Sequence, residues 1–235
     1  MKNFILLFLA VSSGIGAFET DEFESASGNI SVTFIGHGTL MIQLASITIH
    51  VDPVSSEVDY SNMPKADLLL LTHHHSDHMD EAAIDILKKD GTVIIGTKAC
   101  GKQISEVVVM ENGDSQTLAD LSIEAVPAYN ISPGRDRYHP KGRDNGYILT
   151  FGGKRIYIAG DTEDTQEMRQ LKDIDIAFLP MNQPYTMTPM QAAGAASVFR
   201  PKVLYPYHFS GTEPTELTRP LADEEGIEVR VRKME

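Results

Sequence analysis

Apolar residues recur along the chain in two rhythms, one of period two and one of helical period. Ser31–Ile35 alternates around Val32 and Phe34, and the short runs Leu40–Leu44 and Ile47–Val51 follow it as a hairpin or meander. Ala66–Leu71 (Ala-Asp-Leu-Leu-Leu-Leu) does not alternate, which is the pattern of a strand covered on both faces. The spacing then predicts a helix over Asp80–Lys89. Asp80 is its N-cap, Glu81 lies in the first turn, Lys88 and Lys89 lie in the last, and Gly91 comes just after. Val93–Ile95, Val107–Met110, Leu121–Val126, Tyr147–Phe151 and Arg155–Ala159 read as strands, the last two joined at Gly152-Gly153 as a hairpin turn. Ile174–Leu179 is a further strand. Thr188-Pro189-Met190-Gln191 is a capping box with proline at the first helical position, so a helix runs to about Phe199. Val203–Tyr205 reads as a strand, Glu213–Asp223 as a helix and Ile227–Val231 as a closing strand. No linker divides the chain, and both halves run from strands into strand/helix alternation. The expectation is one mixed α/β domain over residues 18–235, its sheets covered by helices.

The first residues follow a different pattern. Lys2 precedes the apolar run Phe4–Val11, and small residues follow from Ser12 to Ala17. This is the plan of a secretory signal peptide, and it is far shorter than the ~20 residues of a membrane span. Residues 1–17 are therefore expected to be a signal peptide and the mature protein to be exported, periplasmic or secreted. The competing reading is a buried first strand. The acidic stretch Glu19–Glu24 argues against it, because it does not read as a turn leading to a paired strand.

Composition changes the picture at two points. The net charge is −13, which makes the chain a poor candidate for gripping a nucleic-acid backbone, a task that needs a basic face. The single cysteine, Cys100, excludes an internal disulfide or a cysteine-rich zinc finger and reads as a small buried residue. The histidines stand out: four of eight lie within the six residues His73–His78. His73, His75, Asp77 and His78 directly follow a buried strand, where α/β folds hold reactive loops on a rigid support. Imidazole and carboxylate suit zinc and similar divalent cations. The bland alternative is a surface histidine tract, but such a tract does not follow four leucines or lead into a capped helix.

The segment Thr72-His73-His74-His75-Ser76-Asp77-His78 resembles the metallo-β-lactamase superfamily, and the resemblance extends over essentially the whole mature chain. Ile158-Ala159-Gly160-Asp161-Thr162 is similar to the turn whose aspartate bridges two metals, and Tyr205-Pro206-Tyr207-His208 to the strand end bearing the last histidine. Gly36-His37-Gly38-Thr39 followed by Asp52-Pro53 resembles one branch, which includes L-ascorbate-6-phosphate lactonase and N-acyl-phosphatidylethanolamine phospholipase D. The resemblance implies a four-layer αββα sandwich and two divalent metal ions, zinc first, with manganese or iron as alternatives. It implies His73 and His75 plus a third histidine on the first metal, Asp77, His78 and His208 on the second, and Asp161 between them. The third histidine departs from the pattern: the segment Pro127-Ala128-Tyr129-Asn130 holds Asn130 at the usual position. His139 is then the expected ligand. The other option is a surface His139 and a metal held by fewer protein groups.

The reaction class implied is metal-assisted hydrolysis of a small ester, lactone or phosphodiester, with water activated between the cations and Asp77 moving the proton. A β-lactam hydrolase and a non-catalytic metal- or ligand-binding protein are the alternatives. The length and acidic charge do not suit the superfamily's ribonucleases, His75 does not suit its flavodiiron proteins, and the short tail after His208 does not suit glyoxalase II. His37 either lines the site or supports a ligand, and Asp52 reads as a structural carboxylate. Asn130 and Tyr185 are, with Tyr129 and Asn182, candidates for substrate contact on loops that could equally be surface turns. Arg135, Arg137, Lys141 and Arg143 form a basic loop in an acidic protein: a solvated loop, or a seat for an anionic substrate group. His50 and His74 read as bystanders. The expected partner is a small molecule, with no nucleic acid and no stable membrane insertion.

Overall fold

The computed structural model describes residues 18–234, so the expected signal peptide lies outside the described residues. Two seven-stranded sheets are built in sequence order. The first holds β1 (Thr20–Ser25), β2 (Gly28–Gly36), β3 (Thr39–Leu44), β4 (Ile47–Val51), β5 (Leu68–Leu70), β6 (Val93–Gly96) and β7 (Val108–Val109), each beside the next. The second holds β8 (Ser115–Leu118), β9 (Leu121–Ala128), β10 (Asp144–Phe151), β11 (Lys154–Ile158), β12 (Ile176–Pro180), β13 (Val203–Tyr207) and β14 (Glu228–Val229). In both sheets the first four strands are an antiparallel meander and the remaining pairs are parallel. The shared order expected of the two halves is thus a shared sheet topology.

Side-chain direction explains the layering. In β5 the even positions Leu68 and Leu70 face the second sheet. Leu69 and Leu71 face outward, onto Ala83, Ile84 and Leu87 of α1 (Glu81–Leu87). The unbroken leucine run is therefore buried on both faces, as its pattern predicts. The inter-sheet core continues through Ile42, Ile49, Tyr147, Leu149 and Phe178 to Ala192 and Phe199 of α3 (Pro189–Phe199), which lies with α2 (Gln166–Arg169) and α4 (Thr215–Thr218) on the second sheet. This is the αββα arrangement.

Local signals are realised with some shifts. Asp80 caps α1 by accepting from the Ala82 N–H, but extended backbone at Lys88 ends the helix before Lys89. At α3 Thr188 and Gln191 form the reciprocal capping box. Gly152 and Gly153, both at positive φ, turn β10 into β11. Two expectations are corrected. The helix expected over Glu213–Asp223 is a single turn, α4, because little beyond Leu217 and Leu221 packs inward. The acidic stretch Glu19–Glu24 does form a paired strand: most of it is β1, antiparallel to β2. Asp21 is tied there to Arg230, Arg232 and the Tyr205 hydroxyl, long-range partners that local patterning does not display.

Candidate metal centre

Every residue of the expected ligand set lies on a loop at one edge of the two sheets. His73, His75, Asp77 and His78 follow β5, Asp161 follows β11, His208 follows β13, and His139 comes from the loop between β9 and β10. Each loop leaves a strand buried in the sandwich, so its path is set by the core below it. Three non-glycine residues here adopt positive φ: His37 (49°), Asp52 (45°) and His208 (45°). Such backbone persists where the surroundings over-determine it. The His37 N–H donates to Met234 O (2.6 Å), His208 N–H to His37 O (2.8 Å) and Asp52 N–H to Leu70 O (3.0 Å).

The ligand atoms fall into overlapping groups, with all members of a group within 4.8 Å of one another: His73, His75 and His139; His73, His78 and Asp161; and His37, Asp77, His78 and His208. Asp161 lies between them. Its Oδ2 is 3.3 Å from His139 Nε2 and 3.5 Å from His208 Nε2, and its Oδ1 is 3.4 Å from His78 Nε2. The Nε2 atoms of His37, His73, His78 and His208 and the Oδ1 of Asp161 are buried without hydrogen-bond partners. Stranding that many polar atoms together costs about 1–3 kcal/mol each unless something occupies the space between them. A divalent cation suits these nitrogen and oxygen donors.

Supporting residues orient the rings. His78 Nδ1 donates to Asp52 Oδ2 (2.8 Å), and Asp52 also accepts from Thr72 N (2.8 Å) and Thr72 Oγ1 (2.6 Å). His139 Nδ1 donates to Asp144 Oδ2 (3.0 Å), and Arg143 donates to both oxygens of Asp144. These carboxylate–imidazole pairs leave each Nε2 free to face the centre, the usual arrangement around metal-binding histidines. Asp52, read from sequence as structural, supports a candidate ligand. Asp144 carried no sequence signal beyond its neighbour Arg143.

Charge is tightly balanced. Burial, then the neighbouring His78, holds His73 well below its ordinary value, and burial with His139 and Arg143 holds His75 at about 4. At His78 burial opposes protonation, but Asp161 and Asp52 outweigh it and raise the ring to about 9. At His139 the bonds to Asp144 and Asp161 likewise outweigh burial, giving about 9. Burial opposes ionisation of Asp161, yet His208 and His78 hold it well below the carboxylate range.

The other singled-out residues divide. His37 reaches the centre: its Nε2 is 3.4 Å from Asp77 Oδ2 and its ring packs 3.8 Å from that of His208. Asn130 lies outside the donor groups, and its backbone N–H holds His139 O (2.8 Å). Its Nδ2 is spent on Tyr185 O (2.6 Å) and Arg135 O (3.3 Å), leaving Oδ1 buried without a partner. Tyr185 is exposed, edge-on to Tyr138. The Tyr129 hydroxyl is engaged with Glu167 and Lys141, and Asn182 caps its loop through Thr186. Ion pairs divide the basic loop: Arg135 pairs with Glu163, Lys141 with Glu167 and Arg143 with Asp144. His50 is buried against Pro64 O, and Cys100 is buried against Thr97.

Comparison with known proteins agrees with this architecture. Residues 31–208 match the family model described as a beta-lactamase superfamily domain. A UPF0173 metal-dependent hydrolase of Koribacter versatilis is 32% identical over 219 residues, covering 85% of this chain and 92% of the relative. One from Thermococcus kodakarensis is 32% identical over 213 residues, covering 83% and 93%. A crystal structure from Parabacteroides distasonis, of a protein provisionally described as a metal-dependent hydrolase, has TM-score 0.90 at 53% identity and covers 93% of this chain and 100% of its own. A metallo hydrolase of Ignicoccus hospitalis shares the fold, with TM-score 0.73 at 24% identity over 87% of this chain and 95% of its own.

Proposed function

Because the chain belongs to the metallo-β-lactamase superfamily, and within it to the UPF0173 metal-dependent hydrolases, we propose that it is a binuclear hydrolase of a small ester, lactone or phosphodiester. The observation that carries this reading is the convergence of buried, unpartnered imidazole and carboxylate atoms on one edge of the sandwich. His73, His75 and His139 would hold one cation, Asp77, His78 and His208 the other, and Asp161 both. A cation pair there supplies Lewis acidity and water activated near neutral pH. The Gly36-His37-Gly38-Thr39 start supports kinship with the lactonase and phospholipase branch.

The protein's own groups divide the remaining work. Asp77 is the one carboxylate of the set that is half-exposed, its side chain 52% accessible against 3% for Asp161. It is thus the carboxylate that substrate reaches. Burial opposes its ionisation, but the facing imidazoles of His208 and His37, with His78 beside them, hold the carboxyl far below its ordinary range. Ionised and open to substrate, it is the carboxylate placed to pass a proton from the attacking water to the leaving group, as a transient carrier rather than a strong base. Buried His73, His78 and Asp161 keep bulk water from the opposite side. Residues 1–17 direct export in this reading, which N-terminal sequencing of the secreted form checks.

The test couples metal content to turnover. The purified protein should carry two equivalents of Zn, Mn or Fe and turn over one of a panel of esters, lactones, β-lactams and bis(p-nitrophenyl) phosphate. Asp77→Asn should lower kcat by about 10²–10⁴-fold, and His139→Ala should lower the metal stoichiometry. Metal-loaded protein inert on the whole panel favours the binding-protein reading, and a His139→Ala variant with two full equivalents removes that ligand.

A further inference from the structure

A second feature opens beside the centre, between the segment after β6 and the end of the loop that carries His139. It is a cavity of about 460 Å³ whose lining includes His74, Lys98, Lys102, Lys141 and Arg143, with Glu111 the one acidic group. Four formal cations face one carboxylate there, in a chain of net charge −13. Lys141 and Arg143 are already paired, with Glu167 and Asp144. Lys98 and Lys102 are exposed and make no ion pair or side-chain hydrogen bond among the described residues. His74 lines the same cavity and keeps a buried Nδ1 without a partner. The two free lysines come from a stretch that sequence reading did not single out. Folding sets them against the half of the basic loop that remains near the centre.

The cavity adjoins the candidate metal ligands directly. Arg143 Nη2 is 3.4 Å from His75 Nε2, and the rings of His74 and His75 lie 5.0 Å apart. We propose that this cavity is a subsite for a phosphoryl group, the charged end of a substrate whose scissile bond reaches the metal pair. This rests on the hydrolase reading above for the second half only; the binding itself requires no turnover. Lys98 and Lys102 supply the uncommitted positive charge, as mobile point charges that suit a phosphate. His74 completes the wall with a ring nitrogen that has no other use. Glu111 sets the limit on the cavity's positive field.

The experiment measures inorganic phosphate binding to metal-loaded protein by calorimetry, with metal content checked in every sample. Lys98→Glu/Lys102→Glu should weaken binding by about tenfold or more at unchanged metal stoichiometry. Lys98→Gln/Lys102→Gln, a milder change at two exposed positions, should lose less. A charge-matched control, Lys65→Glu/Lys172→Glu, alters exposed lysines that do not line the cavity and should bind like the parent. No saturable phosphate binding overturns the proposal. So does unchanged affinity in the Lys98/Lys102 variants, which would put phosphate on the metals alone, or equal loss in the control, which would mean a diffuse field. Because the readout is binding, a protein that binds phosphate but turns over nothing fails the hydrolase reading and keeps the subsite.

Discussion

At the scale of single residues, the centre depends on pairs rather than on isolated ligands. His78 faces inward because Asp52 takes its Nδ1 proton, and Asp52 is itself held by Thr72. Asp52→Ala should therefore lower metal affinity by about 10–100-fold although Asp52 belongs to no donor group. Titration with a competing chelator checks it, and unchanged affinity would make Asp52 merely structural. The histidine tract and its aspartate were legible from sequence because they sit side by side after an apolar strand. His139 was legible only as the remaining histidine of its loop. What places it beside His73 and His75 is Asp144, together with the Asn130 N–H that grips its carbonyl. Asp144 and Asn130 lie close in the chain to His139, but within an irregular loop whose path no strand or helix period describes, so no local spacing announces them.

At the scale of elements, strand ends and their close approaches set the geometry. Gly146 of β10 packs so closely on β11 that a Cβ there would lie 2.7 Å from Ala159 O and 2.9 Å from Ile158 O, immediately before Gly160 and Asp161. Gly146→Ala must push apart the strand that brings in Asp144 and the one that brings in Asp161. The expected cost is about 1–3 kcal/mol, with Tm falling by roughly 2–4 °C per kcal/mol in a thermal scan; an unshifted Tm would show that the ends have slack. On β4, burial holds His50 at about 4, below its ordinary 6.5, despite the bond to Pro64 O. The ring is thus neutral in the fold and protonated in the unfolded chain between those values. Its contribution is full above pH 6.5 and lost as pH falls through 6.5 toward 4, reaching about 2 kcal/mol by pH 5. Urea unfolding at pH 7.5 and 5 should show a shallower pH dependence in His50→Gln, and an identical slope would count against it. The strands read well from alternation because both sheets bury apolar faces. β1 escaped that reading because its exposed positions include Glu22 and Glu24 and the side-chain partners of Asp21 lie about two hundred residues away.

At the scale of the whole molecule, the two sheets bring their loops to one edge, and the candidate metal ligands come from both. His73 through His78 belong to the first sheet, and His139, Asp161 and His208 to the second. Bound metal is then linked to global stability, since a ligand that binds only the folded state stabilises it by RT ln(1 + [L]/Kd), about 2.7 kcal/mol at a hundredfold excess over Kd. Chelation with EDTA should lower Tm by several degrees, and readdition of metal should restore it. A Tm indifferent to both would mean that the sheets hold together without the centre. Among the described residues no helix is long and apolar enough to cross a membrane.

By itself the sequence determined most of the strands, the two capped helices, the mixed α/β class and the histidine–aspartate run, because these follow from local periodicity and from chemistry packed into a few consecutive residues. Tertiary structure alone decided that Asp52 and Asp144 support candidate ligands, that Asn130 holds a loop, and that the basic loop splits. Part of that loop goes into internal ion pairs, and part meets Lys98 and Lys102 beside the centre. The reason is physical. A carboxylate or lysine acts through whatever lies within a few ångströms of it, and in a sandwich of two sheets those neighbours come from far along the chain.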